Sequence, residues 1–191
     1  MNIPEHVVLR RIPAESTAEQ VEALVREHAK LVYQVVFAAL RHPQEAEDAV
    51  QETFIRVWKH AGELSKVVNI RAWLARIAWR IASDWRRKHL KPVVICADDL
   101  SKLPATGASV EEDVIRAQQV ALLERMIGML PDDLREVVEL STVDELTSVE
   151  IGQTLGIPES SVRGRLARAR QLLREKVQGL MERNRKTGVE T

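Results

Sequence analysis

Three acids stand at helical spacing between residues 45 and 52. Glu45, Asp48 and Glu52 fall at i, i+3 and i+7, on one face of a helix. Carboxylates in such a row can hold a divalent cation for phosphodiester hydrolysis, dock a basic partner or form a solvated face. A cation site usually draws ligands from several elements, and no histidine or further acid clearly joins these three, which disfavours a metal-dependent nuclease. The five histidines are scattered and no Cys/His spacing resembles a metal site. Cys96 is the single cysteine, so no intramolecular disulfide is possible, which fits a reducing compartment.

The bases are grouped too. Lys and Arg total 28 and so do Asp and Glu, giving zero net charge. Yet residues 76–91 carry Arg76, Arg80, Arg86, Arg87, Lys88 and Lys91 against one acid, Asp84. Residues 163–176 carry Arg163, Arg165, Arg168, Arg170, Arg174 and Lys176 against Glu175. Local clusters set the field that a phosphate backbone feels, so the balanced total does not exclude nucleic acid. Trp79 lies among the arginines of the first cluster. An indole there either stacks on an unpaired base or packs against the first helix or the linker.

The elements that position these residues read as helices throughout. Apolar residues recur at 3.6 spacing, β-branched alternation is almost absent, and Gly and Pro number only 8 and 7. The expected fold is all-α, two small domains joined by a flexible linker. After an irregular N-terminus over 1–16, a first domain spans 17–91. Its helices run over 17–40, 44–59 and 70–90, with a polar connection near 60–69. Ala46, Ala49, Val50, Phe54, Val57 and Trp58 face inward on the second helix; Leu74, Ile77, Ala78, Ile81 and Trp85 do so on the third. Arg41-His42-Pro43 breaks the first helix, because proline disfavours helical geometry in the residue before it. Residues 92–112, with Pro92, Pro104 and Gly107, read as the linker. About twenty extended residues reach at most ~65 Å, or roughly 19 base pairs of duplex. The second domain covers 113–183, with helices over 110–130, 131–143, 147–155 and 159–183, and a frayed tail follows over 184–191. The longest apolar stretch, Leu31–Leu40, is too short to span a bilayer, and no signal-like segment opens the chain.

The last two helices form a helix-turn-helix pattern. Thr147-Ser148-Val149-Glu150 fits a capping box, Gly156 suits a left-handed C-cap and Pro158 can open the next helix. At 100° per residue, Val162, Leu166, Ala169 and Leu173 share the inward face. Ser160, Ser161, Gly164, Arg168 and Gln171 lie opposite, flanked by Arg163 and Arg165. A helix entering the major groove needs short polar residues near its start with arginines beside them. Gly164 costs about 1 kcal/mol against Ala on a solvated helix, and makes sense if DNA approaches closely there.

Asp48-Ala49-Val50-Gln51-Glu52-Thr53-Phe54-Ile55-Arg56-Val57-Trp58 resembles the second conserved helix of bacterial sigma-70 family factors. Arg71-Ala72-Trp73-Leu74-Ala75-Arg76-Ile77-Ala78, with Asp84 and Arg87 following, is similar to the same family's next helix. Leu130-Pro131, Arg135, Glu150-Ile151-Gly152 and Ser161-Val162-Arg163-Gly164-Arg165-Leu166-Ala167-Arg168-Ala169-Arg170 look like its helix-turn-helix domain. The two motif sets cover about 17–180, and the short two-domain chain points to the extracytoplasmic-function (ECF) group. Departures stand at Trp79-Arg80, where the family usually has Arg-Asn, and at Gly152 in place of Ala, expected to loosen its helix. Others are Ser160-Ser161 in place of Gly-Thr and Gly164 in place of a small polar residue.

The resemblance implies a sigma factor without covalent chemistry of its own. It would direct core RNA polymerase to promoter DNA for transcription initiation, and no cofactor or metal is expected. Asp48, Gln51 and Glu52 would dock on the polymerase, favouring the docking reading of the acidic face. Trp73, Arg76, Trp79, Arg80, Ser83, Arg86 and Arg87 would recognise and melt the −10 element. Ser160, Ser161, Arg163, Gly164, Arg165 and Arg168 would read the duplex −35 element. The linker would run through the RNA-exit region. An anti-sigma factor, membrane-anchored in one version, would hold the two domains and mask both basic helices. The expected location is the cytoplasm, nucleoid-associated when active and sequestered at the inner membrane when held. The rival is a helix-turn-helix regulator that acts without polymerase; it leaves the acidic helix and the Trp/Arg helix idle.

Overall fold

The computed structural model describes residues 15–89, 111–144 and 146–187, and all regular structure among them is helical. In order these are α1 (Glu15–Leu40), α2 (Pro43–Lys59), a 3-10 segment (Ala61–Lys66), α3 (Ile70–His89), α4 (Glu111–Gly128), α5 (Asp132–Ser141), α6 (Ser148–Leu155) and α7 (Glu159–Thr187). The expected irregular N-terminus, the linker with Cys96 and the end of the tail fall almost wholly outside the described residues. Two expectations are corrected. The connection after α2 contains a 3-10 segment anchored by buried Ala61, too short to announce itself by periodicity. The last helix does not stop at Arg183 but continues to Thr187.

The corner between α1 and α2 follows from its proline, and α2 opens on Pro43 itself, one residue before the expected start. His42 takes the extended backbone that a residue before proline prefers, φ −128° and ψ 117°. Arg41 turns left-handed instead, at φ 56°. That geometry costs a non-glycine residue roughly 1–2 kcal/mol. Two bonds to the end of α1 offset it: the Arg41 backbone N–H donates to Phe37 O at 2.9 Å and its Nε to Ala38 O at 3.1 Å.

Helices α1, α2 and α3 pack on one another. Val32, Val35 and Val36 of α1 meet Ala46, Ala49 and Val57 of α2 and Leu74, Ala75, Ala78 and Ile81 of α3 in one buried cluster. Among the later helices α5 and α6 pack on α7, where Leu130, Leu134 and Ala169 form a smaller core backed by Val138, Leu172 and Leu173. The two sets also touch. α3 packs on α6 and α1 on α5, so Val137, Leu140, Val143, Ile151, Val162 and Leu166 join the cluster built on α1–α3. Local periodicity carries no sign of this joint.

Candidate nucleic-acid interface

The acidic face of α2 is open at its centre and tied down at one edge. Asp48 and Gln51 are exposed. Glu52 is half-buried, accepting from Arg56 Nη2 and from Trp85 Nε1 of α3, both at 3.0 Å. It therefore braces two helices, and the Glu45–Asp48–Glu52 row does not converge as a ligand set. Among the described residues no group of three or more His, Cys, Asp and Glu is placed to hold a metal ion. One expected core residue is moved out: Trp58 is 38 % exposed and Ile55 54 %. At 100° per residue Trp58 sits about 20° from Gln51 but about 100° from Val57, which is why an indole there misses the core. Asp48, Gln51, Ile55 and Trp58 thus form one outward stripe. For Trp58 the apolar type suggests the core, whereas the angle sets the side chain outward beside Ile55.

On α3 the predicted residues divide. Arg80 and Arg87 are exposed, Arg87 pairing with Asp84. Trp73 is half-buried against the core. Trp79 is 5 % exposed, inside the shared cluster, with the Arg86 guanidinium 5.8 Å from its ring centroid. Of the two readings of this indole, the free chain adopts packing, and the helices that share its cluster include those of the second half. Ser83 Oγ is buried without a hydrogen-bond partner.

Among the described residues, these polar contacts join α1, α3 and the residue before α3 to the second half. Arg86 Nη1 donates to Glu139 Oε2 of α5 at 2.8 Å, with side chains 18 % and 9 % exposed. Arg71 Nε donates to Glu150 Oε1 of α6 at 3.0 Å. Arg76 Nη2 donates to the Gln153 carbonyl. Asn69 Nδ2 reaches Gln153 Oε1 at 3.1 Å, and Gln34 Nε2 reaches Asp144 Oδ2 at 3.2 Å. A further pair links Arg41 to Glu124 of α4 at 3.4 Å. Burial pushes the Glu139 carboxyl above the ordinary value of 4.5, against the pull of Arg86, Arg135 and Arg41. For Glu150 burial also works upward, but hydrogen bonds from Thr147 and Arg71 outweigh it and hold the carboxyl below 4.5.

The helix-turn-helix forms as its residues require. Thr147 and Glu150 make the full capping box: Thr147 Oγ1 accepts from the Glu150 N–H at 3.2 Å while Glu150 Oε2 accepts the Thr147 N–H at 2.9 Å. Gly156 is left-handed at φ 72°. Gly152 has a role the sequence does not disclose. A Cβ there would stand 2.7 Å from the Ile157 carbonyl oxygen, so its hydrogen permits the tight turn rather than loosening the helix. On α7, Val162, Leu166 and Ala169 are buried, and Ser160, Arg163, Gly164 and Arg168 are exposed. Arg163 pairs with Glu159 at 2.5 Å, and Arg165 reaches Asp133 at 3.6 Å. Around Gly164 a Cβ would meet nothing within 4 Å, so nothing inside the chain demands glycine. This face is open, whereas most of the α3 face is covered.

Residues 24–91 match the Sigma-70 region 2 family and residues 121–173 the Sigma-70, region 4 family. The chain is 32% identical over 157 residues to the ECF RNA polymerase sigma factor SigW of Bacillus subtilis, spanning 78% of this chain and 84% of SigW. It is 30% identical over 168 residues to the ECF RNA polymerase sigma factor SigL of Mycobacterium tuberculosis, spanning 87% and 94%. Its fold is similar to that of CnrH in complex with the cytosolic domain of CnrY, at a TM-score of 0.61 and 22% identity over 89% of this chain and 97% of that one. It is also similar to the sigma factor RpoE in complex with the anti-sigma factor NepR from Bartonella quintana, at a TM-score of 0.52 and 18% identity over 86% and 98%.

Proposed function

The chain belongs to the ECF group of RNA polymerase sigma factors, and from that premise we propose which of its faces carries each part of promoter-specific initiation. The open face of α7 reads the −35 element in the duplex major groove. Ser160, Ser161 and Gly164 let the backbone come close, while Arg163, Arg165 and Arg168 reach base edges or phosphates. This exposed, small-residue face flanked by arginines is the observation that carries the reading. The α3 face with Trp73, Arg76, Trp79, Arg80, Ser83, Arg86 and Arg87 serves the unwound −10 strand, where an aromatic ring among cations suits stacked bases.

The α2 stripe docks on core polymerase. Asp48 and Gln51 supply polar contacts, Ile55 and Trp58 an apolar anchor, and Glu52 holds α2 against α3. We place the docking and −10 domain at 17–91 and the −35 domain at 113–183. The protein performs no covalent chemistry; the polymerase does. CnrH in complex with the cytosolic domain of CnrY and RpoE in complex with the anti-sigma factor NepR motivate regulation of this chain by an anti-sigma factor as well. Its seat is the cytoplasm and nucleoid, or the inner membrane when its regulator is anchored there. Among the described residues no helix is long and apolar enough to cross a membrane.

Core polymerase with this protein and a promoter library tests the assignment. Specific transcripts are expected, lost with Arg168→Ala together with Arg163→Ala. Tight duplex binding by the protein alone, with no transcript, sinks it in favour of a regulator that works without polymerase.

A further inference from the structure

The bases of α7 are not equally free. Arg163 is held by Glu159 at 2.5 Å, and Arg165 is drawn towards Asp133 of α5 at 3.6 Å. Arg168 makes one long hydrogen bond, from Nη1 to Gln171 Oε1 at 3.4 Å. Lys176 faces its own domain, lining a cavity with Met126 and Met129 of α4. Arg170 and Arg174 are different. Both are exposed, and no acid among the described residues pairs with either.

Their placement follows from the helical angle. At 100° per residue Arg170 and Arg174 lie within about 20° of Arg163, so the three form one line along α7. Exposed Ala167 is short and leaves the middle of that line open, and no acid interrupts it between Arg163 and Arg174. Gly164, Arg168 and Gln171, on the outward face, stand about 80–140° round the axis from the line. Buried Val162, Leu166 and Ala169 stand about 60–120° round the other way. The line is therefore a flank, between the core and the reading face. A helix about 10–12 Å across fills a major groove about 12 Å wide. Its outward face then meets base edges, while a flank a quarter turn away meets a groove wall, which is phosphate. Arg170 and Arg174 are about 6 Å apart along the axis, and the line from Arg163 to Arg174 is about 16 Å long, roughly five steps of one strand.

We infer that Arg170 and Arg174 form a backbone seat for duplex DNA on the flank of α7, gripping phosphates of one strand beside the −35 element without reading its bases. The inference rests on the assignment of α7 to the −35 duplex and divides the labour of that one helix. Ser160, Ser161, Gly164 and Arg168 set which sequence is preferred. Arg170 and Arg174 set how strongly any duplex is held, since a phosphate contact carries no sequence information. Each guanidinium is a planar fork that matches phosphate oxygens. With no acid partner to leave, each exchanges only water and loose ions for phosphate, whereas Arg163 must first part from Glu159.

Salt dependence separates grip from reading. Holoenzyme is assembled with wild type, Arg170→Gln, Arg174→Gln, the double variant or Lys176→Gln, and anisotropy of labelled duplexes gives its affinity at increasing KCl. One duplex carries a promoter transcribed by the wild-type holoenzyme, the other the same promoter with a scrambled −35 element. Each single variant should flatten the slope of log affinity against log salt by about 0.9, and the double variant by about 1.8. At about 0.1 M KCl the double variant should bind about tenfold or more weakly. The affinity ratio between the two duplexes should stay as in wild type. Lys176→Gln, which removes the same charge from the side facing α4, should leave the slope unchanged. Unchanged urea midpoints check the fold. A double variant with the wild-type slope overturns the seat; a fall in core-polymerase affinity at that slope assigns the arginines to an acidic protein surface instead. A ratio that collapses in the double variant overturns the division of labour, because the two arginines would then read bases. A wild type that binds both duplexes equally refutes the −35 assignment itself, and flattened slopes would still uphold a sequence-blind seat.

Discussion

Gly164→Ala is expected to make the protein more stable and less competent at the −35 element. Gly164 lies in the second turn of α7, exposed, with open space where a methyl group would stand. Replacing glycine by alanine in such a helix gains about 0.8–1 kcal/mol. For a chain of this size that raises the melting temperature by roughly 2–4 °C. If the DNA backbone or a base edge packs against the bare Cα, the same methyl meets a filled space. Overpacking by one methyl costs roughly 1–3 kcal/mol, or about a five- to 150-fold loss of affinity. Gly152→Ala is the internal control, because its sign is reversed within the chain. The same propensity gain opposes a Cβ 2.7 Å from the Ile157 carbonyl and 3.6 Å from Val162 Cγ2, for a net loss of up to about 2 kcal/mol. Urea and thermal melts of the full chain give the stabilities; anisotropy of holoenzyme on a labelled promoter duplex gives the affinity. Wild-type promoter affinity in Gly164→Ala would refute close approach at that position. A Gly152→Ala protein as stable as wild type would refute the tight turn.

Other outcomes follow from the same contacts. Asp48→Arg and Trp58→Ala should each weaken core-polymerase binding about tenfold or more, while moving the urea midpoint by no more than about 0.5 kcal/mol in equivalent stability. Glu52→Ala should lose roughly 1–3 kcal/mol of stability, since it removes the acceptor of Trp85 and Arg56. Glu150→Gln should narrow its stability deficit against wild type as pH falls, because a carboxyl held below 4.5 stabilises above that value and loses the contribution as it protonates. Glu139 has the opposite sign: its raised carboxyl favours the fold most below 4.5, and this contribution fades as pH rises through the folded value. Wild type should therefore lose ground to Glu139→Gln on raising the pH, as read by urea midpoints across pH 3–8.

What could be read from the residues is what short-range physics decides. Thr147 and Glu150, three apart, define a helix start; Gly156 supplies the left-handed cap; Val162, Leu166 and Ala169 select the buried face of α7. Each follows from spacing within a turn or two. Trp58 shows where type misleads: a tryptophan at the border of an apolar arc follows its angle, not its hydrophobicity. Trp79 shows where range misleads. α3 is apolar or aromatic on more than one side, a sign that it is enclosed by more than its own neighbours. Which surface encloses it depends on α5 and α6, more than fifty residues away, and no local period reports a contact at that distance. Gly152 is a third kind, because its need is set by a carbonyl across a turn.

Glu150 has two oxygens with two employments. Oε2 closes the capping box of α6 and Oε1 holds Arg71 of α3. The start of α6 is therefore wired to its packing on α3. With the halves together, the carboxylate is pinned from both sides and α6 begins at a fixed point. Without the Arg71 contact the cap would keep Thr147 but lose its far anchor, and the first turn would gain freedom to adjust. A single carboxylate thus ties the compliance of the α6 start to the packing of α3 against it.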